Sequence, residues 1–371
     1  MNRFGFIIHP IDMATFYDYF GFWGKIARIL PQRIAKNISE KLPPRKLTSI
    51  DRIRSASNIV IGADVAAVPL LPIQIAYLGE EKVLNLIEKG IQFCEKKGAK
   101  IVGLGAFTSV VGNEGEVLSR RVSVPLTSGN TFTAALALEG IYKAASFMGL
   151  SLKDATVAVI GATGDIGSIC TMILAKKVKS LNMAARNEKK LEDFANSITS
   201  AGGARAQVFK YTKDAVKDAD IVLTATSALT TIIDPMNLKP GAIVCDVAIP
   251  ANIAKEVAYL RNDVFVFEGG LAKFPYPEDF VNKTTAKLLP NQSVYGCISE
   301  TAMLTFENRF ESFSLGRGNI TEGKIEEIKR LASKHGVTLA DYFCGYKFYS
   351  NEDIDNIRKN AERNREKAYA A

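Results

Sequence analysis

The segment Gly161-Ala162-Thr163-Gly164-Asp165-Ile166-Gly167 restricts the fold more than any other feature, because it joins an apolar run, ATVAVIG, to a stretch of helical character. Glycines at this spacing permit a tight strand-to-helix turn. Gly161 and Gly164 let backbone N–H groups approach a pyrophosphate, Gly167 lets helix and strand pack closely, and the helix N-terminus adds positive partial charge. The alternative is a turn with no ligand. Context decides between them: from Ala155 onward the runs ATVAVIG, LNMAA, VFKY, ADIVLTATS, GAIVCDVA and DVFVFEGG alternate with helical or loop segments. Six such strands predict an α/β fold built on a doubly wound, parallel Rossmann sheet.

At the tip of the second strand, an enzyme of NAD places Asp or Glu for the ribose 2′-hydroxyl. This chain has Arg186-Asn187 there, with Lys189 and Lys190 beyond. A guanidinium clamps a 2′-phosphate with two parallel hydrogen bonds, so the expected cofactor is NADPH. The expected cofactor-binding residues are Gly161, Thr163, Gly164, Asp165, Ile166, Gly167 and Arg186, with Ala225, Thr226 and Ser227 after the fourth strand beside the nicotinamide ribose.

The flanking chain predicts a second α/β domain. Phe4 to Ile8 and Asn58 to Asp64 read as strands, Glu80 to Lys97 as a helix and Lys100 to Leu104 as a strand. A helix of about 17 residues then follows, capped by Asn130 or Thr131 and ended by Gly149. The expected organisation is a substrate domain over 1–130, a linking helix over 131–150, the NADP-binding domain over 151–289, a return segment over 290–345 that packs back on the N-terminal part and leaves a cleft, and a charged helical tail over 346–371.

No apolar run approaches the roughly 20 residues that cross a bilayer, and the N-terminus lacks a signal-peptide pattern, so the expected location is cytoplasmic. Charge is concentrated: Lys25 to Arg54 holds nine basic residues against two acidic ones, behind the aromatic group Phe16, Tyr17, Tyr19, Phe20, Phe22 and Trp23. Ile26, Leu30, Ile34 and Ile38 recur there at helical spacing, with Pro31 kinking or splitting the helix. This stretch reads either as core-facing helices with a solvated basic face or as a surface for an acidic partner, an anionic thioester carrier or, peripherally, a membrane. No nucleic-acid module is recognisable. Oligomeric state is not legible.

The five cysteines, Cys94, Cys170, Cys245, Cys297 and Cys344, lie far apart, which argues against disulfides and a metal site. His9 and His335 are the two histidines; both are expected to be structural, with His9 the alternative proton donor. Cys297 has the best chemical address. The polar segment PNQSVYG leads through it into ISETAMLTFENRF, placing the thiol at a helix N-terminus, where the dipole favours thiolate. The alternative is a packed core thiol.

Several segments, FGFIIHP, GLGAFTSVV, LTSGNTFTA, ATVAVIGATGDIGS, MAARNEKKL, YGCISETAMLTFE and FSLGRGNIT, closely resemble in order and spacing those of the long-chain acyl-[acyl-carrier-protein] reductases of alkane biosynthesis, over about residues 1 to 340. The resemblance implies NADPH-dependent reduction of a long-chain acyl thioester to fatty aldehyde, with Cys297 as the acyl-accepting residue and Gly161 to Gly167 as the NADPH loop. It implies acyl carrier protein or acyl-CoA as donor. The basic N-terminal stretch and the tail beyond about 345 depart from the family. Oxyanion donors are expected among the first N–H groups of the Cys297 helix, with Asn130 and Thr131 as further candidates, and Glu300 and Arg317 as polar groups of open role.

The layout also distantly resembles shikimate dehydrogenase-like enzymes, whose Asn-Thr-Asp motif is here Asn130-Thr131-Phe132. Phe132 cannot transfer the proton of that Asp, and an apolar ring in the cleft suits a lipid chain. Two alternatives remain: an NADP oxidoreductase acting on a small polyol without the cysteine, and an NADPH-binding module without turnover.

Overall fold

The computed structural model describes residues 1–254, 256–280, 285, 292–345 and 347–370. They divide into two compact units. The first holds 1–132, 272–319 and 326–338; the second holds 133–271, 320–325 and 339–371. The anticipated boundary at 289–290 lies outside the described residues; the chain re-enters the first unit at Ala272.

The first unit is built on strands β1 (Arg3–Ile8), β2 (Arg45–Arg54), β3 (Val60–Ala67), β4 (Ala99–Leu104) and β5 (Leu126–Thr127), ordered β2-β3-β1-β4-β5. All neighbours are parallel except the β2–β3 pair. Phe4, Phe6 and Ile7 of β1 are buried, as expected of the central strand. Helices α1 (Met13–Tyr19), α2 (Gly21–Ile29) and α3 (Gln32–Ser39) follow β1, and α4 (Glu80–Lys96) lies between β3 and β4. Pro31 does split the basic stretch, between α2 and α3. The isoleucine face is only partly buried: Ile26, Leu30 and Ile38 are half-buried and Ile34 is 46% exposed, while the small residues Gly24, Ala27, Ala35 and Ser39 turn fully inward and Ile29, off that face, is 83% exposed. Gly24 sets how α2 is seated, since a Cβ there would lie 2.1 Å from the Tyr17 carbonyl oxygen, so α2 meets α1 backbone to backbone.

Helix α5 (Asn130–Phe147) starts directly after β5 and ends before Gly149, whose φ of +67° suits a helix terminus. The second unit carries β6 (Thr156–Ile160), β7 (Ser180–Ala184), β8 (Arg205–Val208), β9 (Ile221–Thr224), β10 (Ile243–Asp246) and β11 (Phe265–Glu268), in the order β11-β10-β9-β6-β7-β8. Every neighbouring pair in this order is parallel. This is the doubly wound sheet, its order reversing beside β6. The residues of β9 and β10 are buried throughout, which is why they appear in the sequence as unbroken apolar runs. One strand differs from expectation: β8 is Arg205–Val208, which shares only Val208 with VFKY. It is an edge strand with Arg205 and Gln207 exposed, so its apolar signal is weak, and Thr212 already begins a helix.

Helices α6 (Asp165–Ala175) and α7 (Glu188–Ser200) follow β6 and β7. The return segment supplies α8 (Gly296–Phe306), which packs on β4. A Cβ on Gly103 would sit 2.3 Å from Thr301 Oγ1, so the strand accepts α8 only because residue 103 has no side chain. The tail forms α9 (Asn351–Ala370), seated on the second unit through buried Ile354, Ile357 and Ala361 and by Arg365 Nε donating to the Pro240 carbonyl at 2.9 Å.

Candidate functional site

The glycine turn has the shape its sequence predicts. Gly161 has φ +87°, and a Cβ there would lie 2.4 Å from the Ala225 carbonyl oxygen. A Cβ on Gly167 would lie 2.2 Å from the Gly161 carbonyl oxygen. Both positions therefore exclude any side chain. Gly164 is the N-cap of α6 and offers no side-chain cap, which leaves first-turn N–H groups for an anion. These features fit a dinucleotide pyrophosphate. Thr163 and Ile166 are half-buried at the turn, and Asp165 is 8% exposed.

Arg186 is exposed past the end of β7 and donates from Nη2 to Ser227 Oγ at 3.2 Å. Asn187 is the N-cap of α7, accepting from Lys190 N at 2.9 Å. Arg186 and Ser227 thus meet at one rim, whereas the sequence reading set one at the 2′-phosphate and the other beside the nicotinamide ribose. Ala225 and Thr226 are half-buried beside the turn.

A network that sequence reasoning missed secures this rim. Asn252 Oδ1 accepts from the hydroxyls of Thr224 at 2.6 Å and Thr226 at 2.8 Å. Asp246, at the end of β10, accepts from the N–H groups of Ala248 (3.0 Å), Asn252 (2.7 Å) and Ile253 (3.1 Å). Burial pushes its carboxyl up to about 7, against the pull of those three donors. A carboxylate ending a fully apolar strand, GAIVCDVA, was the available signal.

In the first unit, a second constellation forms where β5 ends and α8 begins. Cys297 is the second residue of α8, whose N-cap, Tyr295, supplies no side-chain cap, and the residue as a whole is half-buried. The remaining four cysteines are buried. Gly129, with φ +71°, fits against the thiol helix: a Cβ there would lie 2.1 Å from the Cys297 Cα. The Ser128-Gly129-Asn130 corner is therefore in contact with the cysteine backbone.

Glu300, one turn further along α8 and fully buried, ties this corner together. It accepts from Thr127 Oγ1 at 2.5 Å and from Phe132 N at 3.0 Å, so its carboxylate serves the first turn of α5. Ser314 completes the knot. Its N–H donates to Thr127 Oγ1 at 3.2 Å, its Oγ accepts from Thr131 N at 3.2 Å and bonds the Thr131 hydroxyl, and its carbonyl accepts from Ser128 N at 2.8 Å. Thr131 is consequently buried and committed to Ser314 rather than presented as an oxyanion donor. Asn130 remains half-buried next to the corner. Phe132 is 2% exposed. Arg317 pairs with buried Glu114 at 3.2 Å.

The electrostatics of Cys297 correct the sequence reading. Burial pushes its thiol up to about 12, and the charge of Glu300 adds to the rise; the N–H groups of Ile298 and Cys297 itself pull it down but are outweighed. The shell around the sulfur is protein, and the resting thiol is protonated. Iodoacetamide modification of folded Cys297 should therefore accelerate about tenfold per pH unit from roughly pH 7 to 10, as the thiolate fraction grows. A rate that levels off below pH 8 would reveal an acidic thiol and contradict this environment.

Neither histidine is placed as a proton relay. Both ring nitrogens of buried His9 are engaged, Nδ1 with the Pro10 carbonyl at 2.9 Å and Nε2 accepting from Phe107 N at 3.2 Å; burial lowers its pKa to about 4. His335 bonds Glu307 through Nε2 at 2.7 Å and stacks on Phe306.

Comparison with known proteins is informative in parts. The family model described as Shikimate / quinate 5-dehydrogenase matches residues 143–268, within the second unit. The chain is 28% identical over 340 residues to the aminotransferase PigE of a Serratia species, covering 90% of this chain and 39% of that protein. The chain thus spans well under half the length of this relative. It is 29% identical over 305 residues to the long-chain acyl-[acyl-carrier-protein] reductase of Synechococcus elongatus, covering 79% of this chain and 87% of that one. A glutamyl-tRNA reductase of Methanocaldococcus jannaschii is 26% identical over 192 residues, covering 51% and 46% respectively.

Proposed function

We propose that this chain is an NADPH-dependent oxidoreductase that reduces a long-chain acyl thioester, on acyl carrier protein or coenzyme A, to the fatty aldehyde, taking the acyl group onto Cys297. The observation that carries this reading is the seat of Cys297: a half-buried residue at a helix start without a side-chain cap, pressed against the Gly129 corner, while the other four cysteines are buried. Two of the relatives are by name reductases of an acyl group borne on a macromolecule, an acyl carrier protein in one and a tRNA in the other. The shikimate-type match ends before Cys297 and supports only the nucleotide half of the scheme.

The glycine turn at Gly161, Gly164 and Gly167 and the first turn of α6 would hold the pyrophosphate, and Arg186 the 2′-phosphate that distinguishes NADPH from NADH. Bound NADPH would supply hydride, which with one proton converts the acyl group to aldehyde and returns the free thiol.

The protein's own chemistry is acyl transfer. The sulfur of Cys297 attacks the thioester carbonyl, its proton passes to the departing carrier sulfur, and one thioester replaces another at little net cost. Because burial holds the thiol protonated, attack and proton loss must be coupled. The first N–H groups of α8, left without a side-chain cap, face the sulfur and would receive the oxyanion, with Asn130 as a further donor. Glu300 acts through others: it fixes the start of α5 and hence the corner against which Cys297 rests.

Incubation with a long-chain acyl thioester in the absence of NADPH should add the mass of one acyl group, and peptide mapping should place it on Cys297. Failure to form the adduct from both carrier types would remove the basis of the proposal.

A further inference from the structure

The outward side chains of α2 and α3 are not absorbed by the reductase reading. Phe22 and Ile29, two helical turns apart on α2, are 69% and 83% exposed; Trp23 is 45% exposed beside Phe22, and Ile34 of α3 is 46% exposed. These side chains cannot rotate inward. The backbone contact of Gly24 with Tyr17 sets the roll of α2, and the space beneath is filled by Met13, Phe16, Tyr19, Phe20, Ala27, Ala35 and Leu42. The same surface is cationic. Residues 20–39 contain no Asp or Glu but include Lys25, Arg28, Arg33 and Lys36; Lys25, Arg28 and Arg33 are exposed. Arg28 makes a long contact of 3.7 Å with exposed Asp18.

We propose that α2 and α3 form a peripheral docking surface for an anionic phospholipid bilayer. The cations match lipid phosphates, and outward aromatic and aliphatic side chains match the boundary between headgroups and acyl chains. Contact would be of the surface kind, since among the described residues no helix is long and apolar enough to cross a membrane. A bilayer is favoured over an acidic protein because Phe22 and Ile29 project from a helix. An interface of lipids yields to projecting side chains, whereas a folded partner would need a groove cut for them. This inference is independent of the role of Cys297.

The chain contains one tryptophan, Trp23, so its own fluorescence reports on the surface. Full-length protein is mixed with vesicles of phosphatidylglycerol and phosphatidylcholine, or of phosphatidylcholine alone. The expected result is a blue shift of emission and protection from acrylamide on the anionic vesicles only, reversed in 1 M salt, where the screening length is about 3 Å. The pair Phe22→Ser and Ile29→Ser, and separately Lys25→Glu with Arg33→Glu, should cut the sedimented fraction at least about tenfold. Because these side chains are exposed, melting temperature should stay near that of the parent, and vesicle binding can be read on folded protein. Unchanged Trp23 emission with anionic vesicles would overturn the proposal, as would an equal response to neutral ones. A shift that follows protein concentration without lipid would assign the face to a second copy, and one produced only by an acidic carrier protein would assign it to that partner.

Discussion

Replacing Cys297 with Ala is expected to abolish aldehyde formation, a loss of at least about 10³-fold, together with the acyl adduct, while NADPH still binds. The size of the effect follows from the absence of a substitute. Cys94 and Cys170 are buried, with their thiols also pushed up to about 12, and Cys245 and Cys344 are buried as well. His9 is sealed in its own hydrogen bonds. Nucleotide affinity is the control, because the glycine turn belongs to the other unit of the chain. Aldehyde production by the Ala variant at even a tenth of the parental rate would refute an obligatory acyl-cysteine.

The second large effect is structural. Gly129→Ala should destabilise the protein by about 3 kcal/mol or more: about 1–2 kcal/mol for a side chain in the left-handed region, and the remainder for overpacking against the α8 backbone. The new Cβ would meet Cys297 Cα at 2.1 Å, Cβ at 2.6 Å and the carbonyl carbon at 2.9 Å, and two of these are main-chain atoms that cannot swing aside. Gly149→Ala is the matched control, since Gly149 has φ +67° and no atom within 4 Å of its Cβ position. Thermal unfolding should show the Gly129 variant well below the Gly149 variant. Equal melting temperatures would mean that the corner does not touch the thiol helix as described.

Much of the second unit was legible in the sequence because its logic is local. A strand buried on both faces must be apolar throughout, and a turn that admits no Cβ at two positions must use glycine there; ATVAVIGATGDIG states both requirements in one line. Edge strands obey neither rule. In β2, exposed Arg45, Lys46, Asp51 and Arg52 accompany buried Thr48, Ile50 and Ile53, so the segment reads as charge rather than as a strand. The inward face of α2 was hidden for another reason: small residues signal close approach only once the neighbour is known, and Gly24 needs Tyr17 to make sense.

The cysteine site was legible by position and not by state. A polar lead-in placed Cys297 at a helix start, which the structure bears out. Its raised pKa comes from surrounding protein gathered from distant parts of the chain, which no local pattern records. Glu300 could be noticed as the single charged residue within the apolar α8, but its partners, Thr127 and Phe132, lie some 170 positions away.

The knot at Asn252 bears on how a nucleotide would be received. The segments after β9 and β10 are clasped to each other and to Asp246 by hydrogen bonds that belong to the protein alone. Ordering a residue costs about 1–2 kcal/mol in lost backbone freedom, and for these residues that cost is met during folding, ahead of any encounter. A rim so prepared behaves as a lock cut in advance: affinity reports the quality of contact, with little drawn off to organise the receiving loops.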